Sequence, residues 1–214
     1  MRVFCAFTVA LLTLACRDPE QERIRKTSTG QYDPATGKLT EITYDKNQNG
    51  VIDTRVKMDG ARPVSAVIDA DEDGKPDRWE EYDAQRRLVK AGESRAKNGK
   101  PDLWVYFASA GTPERIEYSE VSDVTGRESI TRREFYEAGV KVRAEEDTDG
   151  DGVMDRWETF AKGALQTVEF DDPKRRDGKP AQRLTYDARG TLVLVESEPD
   201  ASGTYTKRVV PGGG

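Results

Sequence analysis

The chain has 214 residues, with Lys plus Arg at 34 against Asp plus Glu at 40, a formal charge of −6, and no histidine. This balance excludes a general nucleic-acid binder, which needs a basic face. The missing histidine removes His-based triads, His general bases and His metal sites. Hydrophobic residues make up 35% and charged residues 35%, too little apolar side chain for one thick core. Three Trp, eight Tyr and six Phe recur at regular places, which disordered chains do not show. A thin, repetitive β structure reconciles the two facts.

Residues 1–15 read as a signal segment: Arg2 is followed by an apolar run, Val3–Ala15, too short to cross a bilayer. Cys5 lies inside it. Removing it takes away Arg2 as its one charged residue, so the remaining chain carries 33 minus 40, or −7. Leu12-Thr13-Leu14-Ala15-Cys16 resembles a bacterial lipobox, with Thr13 where a Leu is usual. The resemblance implies a lipid on Cys16 and a bacterial cell-envelope address. Arg17 after the Cys leans towards the outer membrane. Cys16 would then be the only cysteine, so no internal disulfide is expected. Residues 16–30 are polar and read as a tether.

From residue 31 to 210 the chain repeats. Gly50, Gly74, Gly99, Gly126, Gly152 and Gly178 recur every 24 to 27 residues. Trp79, Trp104 and Trp157 each stand five positions after one of them. Met58, Tyr82, Phe107, Phe160 and Tyr186 stand eight positions after, and Phe135 nine after Gly126. Each unit is a loop rich in Asp, Asn and Gly, a short run such as Arg78-Trp79-Glu80-Glu81-Tyr82, a turn, and a second run. These are hairpin signals. They predict hairpins near 31–44, 53–68, 77–93, 102–120, 129–145, 155–170 and 181–196, with a last strand near Tyr205–Val210. The aromatics at +8 should share one sheet face and the Trp residues the other. The expected fold is all-β: antiparallel hairpins in a meander, curved or rolled, with propeller-like closure as the alternative. Pro211–Gly214 reads as a frayed tail.

Asp73-Gly74-Lys75-Pro76-Asp77-Arg78-Trp79 and Asn98-Gly99-Lys100-Pro101-Asp102-Leu103-Trp104 resemble the bacterial variant of MORN-type hairpin repeats. That resemblance implies stacked hairpins used for membrane-associated or protein contacts, and implies no chemistry.

Three loops carry the pattern of a calcium site. Asp147, Asp149, Asp151 and Asp155 stand at positions 1, 3, 5 and 9 around Gly152, with the Val153 carbonyl at position 7. Asp69, Asp71, Asp73 and Asp77 repeat this around Gly74, with the carbonyl of Lys75. Asp45, Asn47, Asn49 and Asp53 form a weaker third around Gly50, with the carbonyl of Val51. Calcium takes six to eight oxygens from a flexible shell, and magnesium demands a rigid octahedron. Carboxylates crowded in this way repel, and a divalent cation removes the repulsion. Glu80 and Glu158 at position 12 complete an EF-hand spacing, but the flanks read as strands. The stretch therefore resembles the calcium loops of FG-GAP repeats, in which position 9 closes the shell. The alternative is that Asp/Asn/Gly loops are simply good turns. The loops at Gly99 and Gly178 lack the oxygens and read as turns.

The expectation is a non-catalytic, lipid-anchored envelope protein, a calcium-stabilised scaffold with a membrane contact through its lipid and a protein or glycan partner. Two alternatives stand beside it: a carboxylate-dependent enzyme acting on polysaccharide, and an immunity- or antitoxin-like binding protein.

Overall fold

The computed structural model describes residues 26–109, 111–121, 126, 128–172, 174 and 177–212. The stretch expected to be a signal segment, 1–15, the expected lipid site Cys16 and residues 17–25 of the expected tether lie outside the described residues, as do Gly213 and Gly214 of the expected tail.

Fifteen strands make one sheet. They are β1 (Ser28–Tyr32), β2 (Leu39–Tyr44), β3 (Thr54–Asp59), β4 (Arg62–Ile68), β5 (Arg78–Tyr82), β6 (Leu88–Glu93), β7 (Leu103–Phe107), β8 (Pro113–Val121), β9 (Glu128–Glu137), β10 (Val140–Glu146), β11 (Arg156–Ala161), β12 (Ala164–Asp171), β13 (Pro180–Tyr186), β14 (Leu192–Pro199) and β15 (Tyr205–Val209). Each expected hairpin is there. β1 begins at Ser28, inside the stretch read as tether. The strand order is the chain order, β1 through β15. All pairings are antiparallel.

The meander stays open, and the propeller-like or rolled closure does not occur. The two end strands, β1 and β15, each pair on one side only, β1 with β2 and β15 with β14.

The sheet is one layer thick, because each strand packs on the neighbours it is hydrogen-bonded to. Its core is a row rather than a volume. Partner by partner, the row runs Ile42, Val56, Ala66, Glu80, Ala91, Val105, Ile116, Glu134, Ala144, Glu158, Val168, Leu184, Val195 and Val209. Ala66, Ala91, Glu134, Ala144, Glu158 and Val168 are its buried points, and no large side chain is fully buried among the described residues. Alanines sit among them because the next row is bulky. Tyr82 faces Leu88, Phe107 faces Pro113, Phe160 faces Leu165 and Tyr186 faces Leu192. Each of these pairs follows a one-residue register shift, a bulge that adds twist.

The opposite face carries the tryptophans, as the spacing predicts. Trp79, Gly92 and Trp104 are successive cross-strand partners. The same row continues through Glu117, Arg133, Glu145, Trp157, Glu169, Arg183, Glu196 and Arg208. All three Trp are partly buried.

One expectation is corrected. Phe135 does not take the place of Tyr82 in its repeat. It pairs with Arg115 and Arg143, on the tryptophan face. Tyr136 takes that place, and its hydroxyl donates to Glu134 Oε2 at 2.7 Å as the Tyr82 hydroxyl does to Glu80. The displacement from Gly126 is two residues: Glu134 follows it by eight, whereas Glu80 follows Gly74 and Glu158 follows Gly152 by six.

Candidate metal centre

Odd-to-even connections are tight hairpin turns at one end of the strands. Even-to-odd connections, including 45–53, 69–77, 94–102 and 147–155, line the other end. Because each repeat advances two strands, successive loops stand about 10 Å apart along that edge.

The three acidic loops close in the same way. The position-1 carboxylate receives the amide of the glycine at position 6: Gly50 N to Asp45 Oδ2 at 2.8 Å, Gly74 N to Asp69 Oδ2 at 2.9 Å, Gly152 N to Asp147 Oδ2 at 2.8 Å. Position 5 accepts from the amide at position 7 at 2.8 Å in each: Val51 N to Asn49, Lys75 N to Asp73, Val153 N to Asp151. Position 9 folds back on position 2, with Asp53, Asp77 and Asp155 accepting from the amides of Lys46, Ala70 and Thr148 at 2.6, 2.7 and 3.0 Å. Gly50, Gly74 and Gly152 turn the chain with φ of +90°, +85° and +92°, a region side chains avoid. The loops are also stitched together. Asp69 N donates to Asp53 O, and Asp171 N to Asp155 O, both at 2.8 Å.

These bonds use one or two lone pairs on each carboxylate and leave others for a cation. Asp69, Asp71 and Asp77 offer oxygens that all lie within 4.8 Å of one another, and so do Asp147, Asp149 and Asp151. Oxygens on opposite sides of a calcium ion stand about 4.6–5.2 Å apart, so both groups fit its shell. Asp69 Oδ1 is buried and has no hydrogen-bond partner, which a cation would satisfy. Asp147 is 5% exposed. Asp73 stands outside its three-carboxylate group, 3.9 Å from Lys75 Nζ. Asp155 stands outside its own and holds Thr148 through amide and hydroxyl. The first loop brings only two carboxylates, Asp45 and Asp53, together with Asn47 and Asn49. An open cavity of about 450 Å³ beside the 147–155 loop is lined by Asp149, Asp151, Asp155, Phe170, Asp171 and Asp172.

Glu80 and Glu158 are strand residues. Glu80 is held by Arg78 at 2.7 Å. Glu158 is held by Arg132 at 2.8 Å and Arg156 at 2.6 Å. Both lie in the core row, away from the loops. In the loop at Gly99, Asp102 is engaged by Arg95 Nε at 3.0 Å and Ser94 Oγ receives Asn98 N at 3.2 Å.

The sequence reading missed how one loop reaches the next. Position 4 is left-handed in four loops, at Gln48, Glu72, Lys97 and Gly150, with φ of +60°, +60°, +51° and +75°. From there Glu72 accepts from the side-chain amides of Asn47, at 2.6 Å, and Asn49 in the preceding loop. Lys97 Nζ donates to Asp71 Oδ2 at 2.9 Å. That hydrogen bond holds the Asp71 carboxyl below its ordinary value and raises Lys97. A protein-borne ammonium thus stands at the carboxylates of the second loop. The repeat register, which sets loop beside loop, is the one sequence signal that pointed to this contact.

No protein-family model matches the chain, and no curated protein sequence matches it. Among solved structures, it is similar at 12% identity and a TM-score of 0.32 to TarM, over 52% of this chain and 22% of that one. A porin-like protein from Bacteroides uniformis ATCC 8492 shares 10% identity at a TM-score of 0.28, over 86% and 89%. A TcdB2-TccC3-Cdc42 structure shares 13% at 0.25, over 85% and 12%. The chain spans about a fifth of the length of the TarM chain. Likenesses at this level carry no argument about what the chain does.

Proposed function

We propose that this chain is a non-catalytic scaffold of the bacterial cell envelope, lipid-anchored through Cys16, whose row of hairpins is stabilised by calcium along its loop edge. The observation that carries the reading is the pair of three-carboxylate groups, Asp69/Asp71/Asp77 and Asp147/Asp149/Asp151, in repeat-equivalent loops on one edge. A sheet with a core only one row deep gains little from burial, so ligands that bind the folded state alone weigh heavily in its stability. Calcium would supply charge compensation there. The chain's own residues do the rest: Asp69 and Asp147 hold the loop closed through the glycine amides, Asp77 and Asp155 pin its first turn, and the Lys75 and Val153 carbonyls complete the oxygen set. The MORN-type cadence agrees with stacked hairpins offering a contact surface to a protein or glycan. The non-catalytic reading is supported by the fate of the buried sheet carboxylates. Glu117, Glu134, Glu158 and Glu196 are each paired to arginine, not left free to move a proton.

Thermal unfolding in calcium, in magnesium and in chelator tests this. With a Kd of about 0.1 mM and about 2 mM calcium, each filled loop adds roughly 1.8 kcal/mol. The midpoint should rise in calcium, and Asp151→Ala should remove more of the rise than Asn49→Ala. No shift, or an equal shift in magnesium, would leave the loops as ordinary turns.

A further inference from the structure

The tryptophan-face row alternates in charge from β8 onwards: Glu117, Arg133, Glu145, Trp157, Glu169, Arg183, Glu196, Arg208. Even strands supply the Glu and odd strands the Arg, with Trp157 in the one remaining odd place. The interior arginines are satisfied from both sides. Arg133 meets Glu117 at 3.3 Å and Glu145 at 3.1 Å. Arg183 meets Glu169 at 2.6 Å and Glu196 at 3.7 Å.

Arg208 on β15 breaks the series. It meets Glu196 at 3.0 Å on its inner side, and among the described residues no strand pairs with β15 on its outer side. Arg208 is 66% exposed at its side chain and Val209 62% overall, although Val209 ends the otherwise sheltered core row. β15 therefore presents on its outer side a cation and an apolar residue placed as Arg183 and Leu184 are on β13, which is paired on both sides.

We propose that the outer edge of β15 is a docking edge for an extended strand of another polypeptide, one that places a carboxylate opposite Arg208 and an apolar residue opposite Val209. Main-chain bonds along a free edge give such strand addition its affinity, and side chains at alternate positions give its specificity. The even strands spell out the matching sequence: Ile116-Glu117, Ala144-Glu145, Val168-Glu169 and Val195-Glu196 each set an apolar residue beside a Glu. A second copy does not fit. With like faces continuous, the central registers of β15 against β15 set Lys207 opposite Lys207 or Arg208 opposite Arg208, a like-charge arrangement that proteins use to prevent edge pairing. β1 offers Ser28-Thr29-Gly30-Gln31-Tyr32, with no carboxylate. The basic pair thus rejects self-association and selects an acidic strand. None of this depends on calcium.

The probe is a fluorescent synthetic peptide with the sequence of β14, Leu-Val-Leu-Val-Glu-Ser-Glu-Pro, added to the full chain. Anisotropy should saturate, and amide exchange should slow within Tyr205–Val209. Arg208→Glu should weaken binding about tenfold, and a peptide with Lys in place of the first Glu should recover it on that variant. Arg208→Gln, which adds no charge beside Glu196, should give an intermediate loss if Arg208→Glu disturbs the last strands. The proposal is overturned by non-saturable binding, by equal affinity for Arg208→Glu, by concentration-dependent dimerisation of the chain alone, or by faster exchange in β14, which would mean strand replacement.

Discussion

Gly92 stands between Trp79 and Trp104 in the cross-strand row, and the Trp104 ring lies over it. An added Cβ would stand 2.6 Å from Trp104 Cζ3, closer than atoms approach. The Lys90 ammonium, 3.8 Å from the Trp104 ring centre, restricts the ring's retreat. Gly92→Ala should therefore cost about 1–3 kcal/mol as overpacking, read as a lower urea midpoint with an unchanged slope. Lys97 is a residue of the opposite kind, exposed and acting at a distance from its own loop. Its ammonium competes with any metal for Asp71. Exposed ion pairs are weak, so Lys97→Met should tighten calcium at the second loop by no more than about fivefold. A titration followed by the fluorescence of Trp79, two residues beyond Asp77, would show it, and Asp71→Asn should cancel the gain.

At the scale of the strands, ion pairs take over work that a second layer would do. Arg132 holds Glu134, Glu146 and Glu158 at 3.1, 2.9 and 2.8 Å. Removing it leaves sheltered carboxylates short of a partner, so Arg132→Met should cost about 2–4 kcal/mol at neutral pH. Burial pushes the Glu134 carboxyl up, but hydrogen bonds from Tyr136 and Arg132 more than offset this and leave it below its ordinary 4.5. A depressed folded value means that its contribution is complete above that range and is lost as pH falls through the lowered value. The penalty for Arg132→Met should accordingly shrink as pH falls below the ordinary carboxylate range, in melts recorded against pH. These networks also mark where sequence reading stops. The hairpins were legible because turn residues and short β-rich runs are local signals, and the acid loops because alternate oxygens are contiguous. The charge rows were not, since Arg132 and Glu158 are 26 residues apart and meet only once register is known. Phe135 was misassigned because the unit after Gly126 is two residues out of phase, which no local residue announces. Open against closed depended on whether the two end strands meet, a contact between residues far apart in sequence that no local pattern announces.

For the molecule as a whole, fifteen strands at about 4.8 Å make a ribbon roughly 70 Å long, with strand ends rather than faces carrying the acidic loops. Each repeat touches only its neighbours, so stability is close to a sum of units and interfaces. Excising residues 78–102 joins Asp77 to Leu103, two points in the same phase of the repeat. The shortened chain should fold as a thirteen-strand sheet, with the far-ultraviolet circular dichroism of the parent and a somewhat lower melting midpoint. Loss of all cooperative unfolding would mean that the units depend on more than their neighbours.

The one-layer arrangement also bears on how the chain reaches its shape. Most all-β proteins fold slowly because strands distant in sequence must find each other before anything is gained. Here every strand pairs with the next one along, and each closure spans a short connection. The entropy of each step is small, and the structure can grow as a zipper from any hairpin in either direction. The same locality works in reverse. The middle strands can open only after those on one side have gone, so amide exchange should be slowest near β7 to β9 and quicken towards both ends.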